Sequence, residues 1–239
     1  MANVCGPTSY LDLTVNSRFR LKRFSHGARF KTAVNLIGPR DGDRILDYGT
    51  GDGYLLKLLY LQCPSASVFG YEPQESMRRE LKENFGDHEE YRLISDLTTL
   101  PPGTFNKIAC LEVFEHLPPP ALANAIADIK RLLAPNGKIV VSVPVEIGPS
   151  SLLKNLARLL YRQQESSFSS MTLLKSLFGL PVRRREQWGL YGHTGFDHRA
   201  IEDIFRLASL KIRSKSFCPF PLLGGVLNSQ VFYVLSLNG

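Results

Sequence analysis

The sequence predicts an α/β fold with a doubly wound, mostly parallel sheet of seven strands and an antiparallel edge strand. Short apolar runs alternate with helical patterns along the chain, which is typical of parallel strands joined by right-handed crossovers. The first run leads into a loop with three glycines at alternate positions, and a helical pattern follows at once. A strand that passes through such a loop into a helix forms a nucleotide-sized cradle.

Each element follows from a local pattern of apolar and turn residues. A basic helix is predicted at residues 18–37. The next strands are predicted at residues 44–48, 67–71, 91–95, 107–111 and 138–143, with helices at residues 53–62, 74–85 and 120–133. The run Ala134-Pro135-Asn136-Gly137 predicts a turn between the last helix and the fifth strand. A helix at residues 197–208 and strands at 211–217 and 230–237 follow; the two strands predict an antiparallel edge hairpin.

We divide the chain into three parts. Residues 1–40 form an N-terminal basic helical segment, residues 41–147 and 190–239 form the α/β domain, and residues 148–189 form a helical insertion. Leucines in the insertion recur at helical spacing beside a stripe of Lys154, Arg158 and Arg162. This pattern therefore predicts a cap or lid that covers a binding pocket and selects the substrate. A lid that touches no substrate, or a surface that rests on an anionic membrane, are the alternatives.

Charge and cysteine content restrict the partners and the compartment. The net charge of +7 favours an anionic partner, with a merely soluble basic surface as the alternative. The four cysteines are scattered without a C-x-x-C pair, which disfavours a disulfide or zinc framework. No secretory signal is apparent, and no apolar run approaches the ~18–20 residues of a membrane span. We expect a cytoplasmic protein, or one that associates peripherally with a membrane.

The glycine loop has a spacing of its own. A dinucleotide fingerprint G-x-G-x-x-G needs its third glycine at position 54, which is Tyr54 here, so the loop does not predict NAD binding. The spacing D-x-G-x-G-x-G, with Asp47 at its start and Gly49, Gly51 and Gly53 as its glycines, resembles the first motif of the class I S-adenosylmethionine-dependent methyltransferases.

The resemblance extends over roughly residues 41–145, and this part of the chain is similar to small-molecule methyltransferases of the type 11 and 12 groups. It implies a Rossmann-like fold that binds S-adenosylmethionine, with Glu72 on the ribose hydroxyls, Met77 near the adenine and Asp96 facing the exocyclic amine. The run Cys110-Leu111-Glu112-Val113-Phe114-Glu115-His116-Leu117-Pro118 resembles the motif that follows the fourth strand in these enzymes. The cofactor-binding residues implied in this way are Asp47, Tyr48, Gly49, Gly51, Gly53, Glu72, Pro73, Met77, Asp96, Leu97, Leu111 and Glu112.

The acceptor is expected to be a small molecule or a lipid- or sugar-linked intermediate, methylated on oxygen or nitrogen. A hydroxyl acceptor needs a base, and His116 and His193 have the side chain suited to that task. The run after the fourth strand lacks the Asn/Asp-Pro-Pro-aromatic pattern of enzymes that methylate exocyclic base amines, which disfavours DNA base methylation. An RNA 2′-O-methyltransferase and a non-catalytic cofactor-binding protein are the alternatives.

A divalent metal is a further hypothesis. Glu112, Glu115 and His116 resemble a cluster that binds a cation in some ubiquinone-pathway O-methyltransferases and small-RNA 2′-O-methyltransferases, and His193 would complete it. Carboxylate and imidazole ligands suit Mg²⁺, Mn²⁺ or Fe²⁺ better than a structural zinc ion. Many members of the family carry the motif without a metal, so the sequence leaves both readings open, as it does the oligomeric state.

Overall fold

The computed structural model describes residues 20–85, 91–145, 198–224 and 228–238. Its helices and strands, in chain order, are α1 (Arg20–Ile37), β1 (Arg44–Tyr48), α2 (Tyr54–Gln62), β2 (Ser67–Tyr71), α3 (Glu75–Phe85), β3 (Tyr91–Ile94), β4 (Phe105–Leu111), α4 (Pro119–Leu132), β5 (Leu133–Pro144), α5 (Ala200–Leu207), β6 (Leu210–Cys218) and β7 (Gln230–Leu237). Short 3-10 helices lie at Phe114–His116 and Pro221–Leu223. The predicted insertion, residues 148–189, lies outside the described residues.

The strands form one seven-stranded sheet in the order β3-β2-β1-β4-β5-β7-β6. Strand β1 pairs in parallel with β2 and β4, and β2 pairs in parallel with β3. Strand β7 runs antiparallel to both β5 and β6, so the last two strands form the antiparallel edge pair. The predicted fold class is therefore confirmed.

The largest difference from the predicted boundaries lies between α4 and β5. Strand β5 begins at Leu133, directly after α4, so the predicted turn at residues 134–137 falls within its bounds. Asn136 there has a φ of 62°, in the left-handed region. Asn136 therefore has the backbone conformation that the predicted turn needs, although it lies within the bounds of β5.

The chain divides into two compact units, of which the first comprises Met1–Ala109 and Arg131–Lys138. Two lysines of this unit, the buried Lys107 and the half-buried Lys138, hold the C-terminal end of α1. Lys107 Nζ donates to the carbonyl of Gly38 and to the buried carboxylate of Asp43, and Lys138 Nζ donates to Leu36 O at 2.7 Å. These bonds satisfy carbonyls that a helix end leaves without an intrahelical partner. They fix the helix that leads into the glycine-loop region.

The second unit comprises Cys110–Lys130 and Ile139–Gly239. In its described part, Tyr233 of β7 is buried, and its hydroxyl contacts His198 O at 3.1 Å and Glu202 Oε1 at 2.9 Å. Lys215 donates to the same carboxylate at 2.5 Å, which joins β6 and β7 to α5. Among the described residues, no helix is both long and apolar enough to cross a membrane.

Loss of the Lys107 ammonium should destabilise the fold strongly. Lys107→Met leaves the Asp43 carboxylate buried without its cation, so we expect the free energy of unfolding to fall by about 3–5 kcal/mol in urea denaturation. Asp43 Oδ2 accepts Arg40 N at 2.7 Å and its Oδ1 accepts Asn106 Nδ2 at 2.8 Å. An asparagine at 43 removes the buried charge but keeps only one of these bonds, so the double variant Lys107→Met/Asp43→Asn should recover part of the loss.

The exposed pair of Arg79 and Glu75, 3.1 Å apart, provides the control for this experiment. Arg79→Met should cost less than about 1 kcal/mol because water already solvates both groups. Equal costs for Lys107→Met and Arg79→Met would contradict the anchoring role of Lys107.

Candidate functional site

The glycine loop after β1 is tied to the end of β2. Gly49, Gly51 and Gly53 have φ values of 81°, 54° and 75°, a left-handed conformation that side-chain-bearing residues adopt at a cost. The N–H groups of Gly49 and Thr50 donate to Tyr71 O at 2.7 and 3.0 Å. The loop therefore folds back over the carboxyl end of β2, beside the residue that follows this strand.

Glu72 directly follows β2 and is 6% exposed. Its Oε2 accepts the N–H of Gly51 at 3.1 Å, and its Oε1 accepts the N–H of Gln74 at 2.9 Å. Each carboxylate oxygen has a second lone pair, so both can accept further hydrogen bonds. Arg78 donates to the backbone oxygens of Glu72 and Pro73, each at 2.7 Å, and so fixes this turn. Glu72 is held in one orientation with acceptor capacity to spare.

The aromatic and apolar side chains around the loop fill its sides. Tyr48, the last residue of β1, is buried, with its ring 5.0 Å from the ring of Tyr71. Met77 lies against the loop, since its Cε would be 3.8 Å from a Cβ placed on Gly51. The space above Gly51 is thus bounded by an apolar side chain and is open because the glycine lacks one.

Asp47, at the start of the loop, is 3% exposed and accepts the Thr50 hydroxyl at 2.8 Å. Burial raises the pKa of Asp47 to about 7; the Thr50 hydrogen bond opposes this rise, and the carboxylates of Asp52 and Glu72 add to it. Burial also raises the pKa of Asp52, against the bond from Tyr54 N–H and the charge of Arg29. Three carboxylates therefore converge on this loop, and the arrangement favours a cation.

Arg29 is a functional candidate that the sequence interpretation missed. It lies on α1 and is buried, and its charge lowers the pKa of Asp52 in the glycine loop. The same helix reaches the loop through Phe30, whose ring is 4.8 Å from that of Tyr54. The signal in the sequence was an arginine directly before the apolar residues of the predicted basic helix, which the structure buries: Phe30, Ala33, Val34 and Ile37.

Asp96 and Leu97 follow β3. Asp96 is exposed, and its Oδ1 accepts both the N–H and the hydroxyl of Thr98, at 2.8 and 2.7 Å. These hydrogen bonds lower the pKa of the Asp96 carboxyl. Leu97 is buried. Asp96 therefore caps a turn through one oxygen while its carboxylate faces solvent.

The second unit contains the residues predicted after the fourth strand. Leu111 ends β4, and Glu112 has a φ of 56°. The Glu112 N–H donates to Ser142 O at 3.0 Å, and its Oε1 accepts Gln230 Nε2 at 2.5 Å. His116 is half-buried in the 3-10 helix, whereas Glu115 is buried. His193 lies outside the described residues.

The metal hypothesis places Glu112, Glu115 and His116 in one cluster. The 3-10 helix begins only at Phe114, so Glu112 precedes it. In the part of the chain that the structure describes, no group of three His, Cys, Asp or Glu side chains could hold a metal ion. A site completed by His193 remains a prediction.

Curated relatives match about half of this chain. An uncharacterised methyltransferase of Geobacillus sp. (strain WCH70) is 33% identical over 117 residues, 47% of this chain and 53% of its own length. The ubiquinone biosynthesis O-methyltransferase of Xylella fastidiosa (strain 9a5c) is 36% identical over 108 residues, 44% of this chain and 43% of its own. The chain thus spans about half the length of the curated relatives it matches.

Solved structures share the fold. The PH0226 protein from Pyrococcus horikoshii OT3 has a TM-score of 0.62 at 18% identity, over 96% of both chains. The magnesium protoporphyrin IX methyltransferase from Synechocystis PCC 6803, solved with bound S-adenosylhomocysteine, has a TM-score of 0.54 at 16% identity, over 93% of this chain and 89% of its own.

The family model described as a methyltransferase domain matches residues 20–211, which is most of the chain. The match begins with α1 and includes the glycine loop, the turn after β2 and the motif after β4. The chain therefore belongs to the methyltransferase domain family and has the Rossmann-like fold of class I methyltransferases.

Proposed function

We propose that this protein is an S-adenosylmethionine-dependent methyltransferase that acts on an oxygen or nitrogen atom of a small-molecule or lipid- or sugar-linked acceptor. The observation that supports the placement of its cofactor is the Glu72 carboxylate, fixed by two backbone N–H groups with lone pairs to spare. A vicinal diol needs two such acceptors on one rigid group, and the ribose of S-adenosylmethionine provides the diol. Glu72 is accordingly proposed as the ribose ligand.

The charges around the loop fit the rest of the cofactor. S-adenosylmethionine carries an ammonium and a sulfonium, and either cation would relieve the repulsion among Asp47, Asp52 and Glu72. Arg29 supplies a buried guanidinium beside Asp52, suited to the cofactor's carboxylate. The other residues predicted at this site, Tyr48, Gly49, Gly51, Gly53, Pro73, Met77, Asp96, Leu97, Leu111 and Glu112, are proposed to line it.

The protein has to align the acceptor and handle a proton. When bound, S-adenosylmethionine supplies an activated methyl group for in-line displacement by a nucleophile. His116 is proposed to take the proton of a hydroxyl acceptor. It follows the carboxyl end of β4, and α/β folds bind ligands at the carboxyl ends of their strands. His193 is the second proposed base. An amine acceptor would need only to be uncharged, and the surrounding protein would exclude water.

Oxygen methylation of a small molecule is the first reading of the acceptor. The similarity to the ubiquinone biosynthesis O-methyltransferase of Xylella fastidiosa supports it. RNA is the second reading, supported by the net charge of +7. A third reading, contact with an anionic membrane surface, would bring the enzyme to a lipid-linked acceptor.

Transfer of a labelled methyl group into a fractionated cell extract tests the acceptor class. We expect label in a small-molecule or organic-solvent fraction, and mass spectrometry of the product then assigns the methyl group to oxygen or nitrogen. Label that ribonuclease renders acid-soluble would instead establish RNA as the acceptor. Binding of the cofactor with no label in any fraction would support a non-catalytic protein.

Removal of the Glu72 carboxylate should weaken cofactor binding. Glu72→Ala leaves the ribose hydroxyls without their acceptors, so we expect S-adenosylhomocysteine affinity to fall about ten- to a hundredfold in calorimetry. Glu75→Ala, three residues on at an exposed position of α3, is the matched control and should bind normally. Normal affinity in Glu72→Ala would show that the ribose binds elsewhere.

The raised pKa of Asp47 should make stability depend on pH. The pKa of Asp47 is about 7 in the folded protein and the usual 3.8 in the unfolded chain, so the folded state binds this proton more tightly. The resulting stabilisation is complete below about pH 4 and is lost as the pH rises through about 7. In the cofactor-free protein, we expect Asp47→Asn to reduce this fall, which is at most about 4 kcal/mol, in urea denaturation at pH 4.5 and pH 8. Identical pH dependence in both proteins would contradict the raised pKa.

The same carboxyl should couple cofactor binding to proton release. A cation beside Asp47 favours its ionised form, so S-adenosylmethionine affinity should rise between pH 6 and pH 8. Calorimetry in buffers with different ionisation enthalpies measures the protons released. Asp47→Asn should release fewer protons, and an unchanged number would place the cation away from Asp47.

A further inference from the structure

Gln230, the first residue of β7, connects this strand to the residue that follows β4. It pairs with Pro144 of β5 and Cys218 of β6, and it is 7% exposed. Its Nε2 donates to Glu112 Oε1 at 2.5 Å, across 118 residues of sequence. The amide must face Glu112 with its nitrogen, because its oxygen would be repelled by the carboxylate. The Gln230 oxygen is therefore directed away from Glu112.

Two energetic costs meet at this contact. Glu112 has a left-handed φ of 56°, a conformation that is unfavourable for a residue with a Cβ. Gln230 Oε1 is buried and has no hydrogen-bond partner among the described residues, so its lost hydration is not replaced. A glycine at 112 and an apolar residue at 230 would avoid both costs and still end one strand and begin the other. Costs of this kind accumulate where a side chain must be held for function.

The two bonds of Glu112 hold different parts of the residue. Ser142 O of β5 accepts its N–H at 3.0 Å and so fixes the backbone, while Gln230 of β7 fixes the carboxylate. A glutamate held at both ends has little rotamer entropy left to lose when a ligand binds. The pair therefore preorganises the Glu112 carboxylate.

We propose that Gln230 is a positioning residue that holds the Glu112 carboxylate in place for binding of the cofactor. This rests on the proposed cofactor contact of Glu112. Gln230 acts through Glu112 and need not touch the cofactor. Its contribution should therefore disappear when the Glu112 carboxylate is absent, whereas a purely structural contribution would persist.

A double-mutant cycle with S-adenosylhomocysteine as the probe tests this. The variants of the full chain are Gln230→Met, which keeps the volume without the amide, Glu112→Ala, and both together. By calorimetry we expect Gln230→Met to weaken binding about three- to tenfold and Glu112→Ala at least as much. The double variant should bind no more weakly than Glu112→Ala alone. Ser236→Ala, which removes the bond that Arg213 Nε donates within the edge pair at 2.8 Å, is the control and should bind normally.

The exchanged pair Glu112→Gln/Gln230→Glu separates positioning from stability. It restores an amide–carboxylate bond but moves the charge to β7, so we expect a melting temperature near that of the natural protein and affinity as weak as that of Glu112→Ala. Unchanged affinity in Gln230→Met, additive losses in the double variant, or full affinity in the exchanged pair would each overturn the proposal. Unchanged affinity in Glu112→Ala would overturn it together with the cofactor contact of Glu112, while leaving the Glu72 site standing.

Discussion

The hydrogen bond from Gly51 N–H to the Glu72 carboxylate is the interaction on which the proposed cofactor site depends. It joins the loop after β1 to the turn after β2, and the bonds from Gly49 and Thr50 to Tyr71 O act in the same direction. A backbone N–H can reach the neighbouring strand end only because the loop takes left-handed φ values, which glycine adopts at little cost. The glycines therefore orient the carboxylate as well as leaving space beside it.

This geometry concentrates negative charge in a poorly solvated place. Asp47, Asp52 and Glu72 lie close enough that their charges raise the pKa of Asp47, and burial adds the larger part of the effect. An arrangement that disfavours ionisation in the empty protein favours a cationic ligand, because the ligand's charge replaces the missing solvation. The buried Arg29 balances part of the charge through Asp52. The site thus suits a ligand with cationic groups on one side and a carboxylate on another.

The sequence predicted those parts of the molecule whose signal is local. The strands, the glycine loop and the carboxylate after β2 each depend on a few adjacent residues, and the structure has them within a few positions of the predicted ones. Arg29 and Gln230 could not be predicted in this way. The charge of Arg29 acts on Asp52, 23 residues away in sequence, and Gln230 bonds to Glu112, 118 residues away. In sequence, the first looked like part of a basic helix and the second like the polar start of an edge strand. Glu112 and Glu115 do not share one helix start, because the chain takes a left-handed step at Glu112 before the 3-10 helix begins at Phe114.

The difference between cofactor and acceptor signals has a chemical cause. A nucleoside cofactor of fixed structure requires a diol acceptor, a backbone loop and charges at set places, so its binding residues form a recognisable spacing. The methyl group arrives already activated, and the acceptor side has only to orient a nucleophile and accept a proton. Many side chains can do this, and they need no common spacing. Polar groups that are costly to bury therefore mark functional positions that motifs do not, and the Glu112–Gln230 contact carries two such costs at one place.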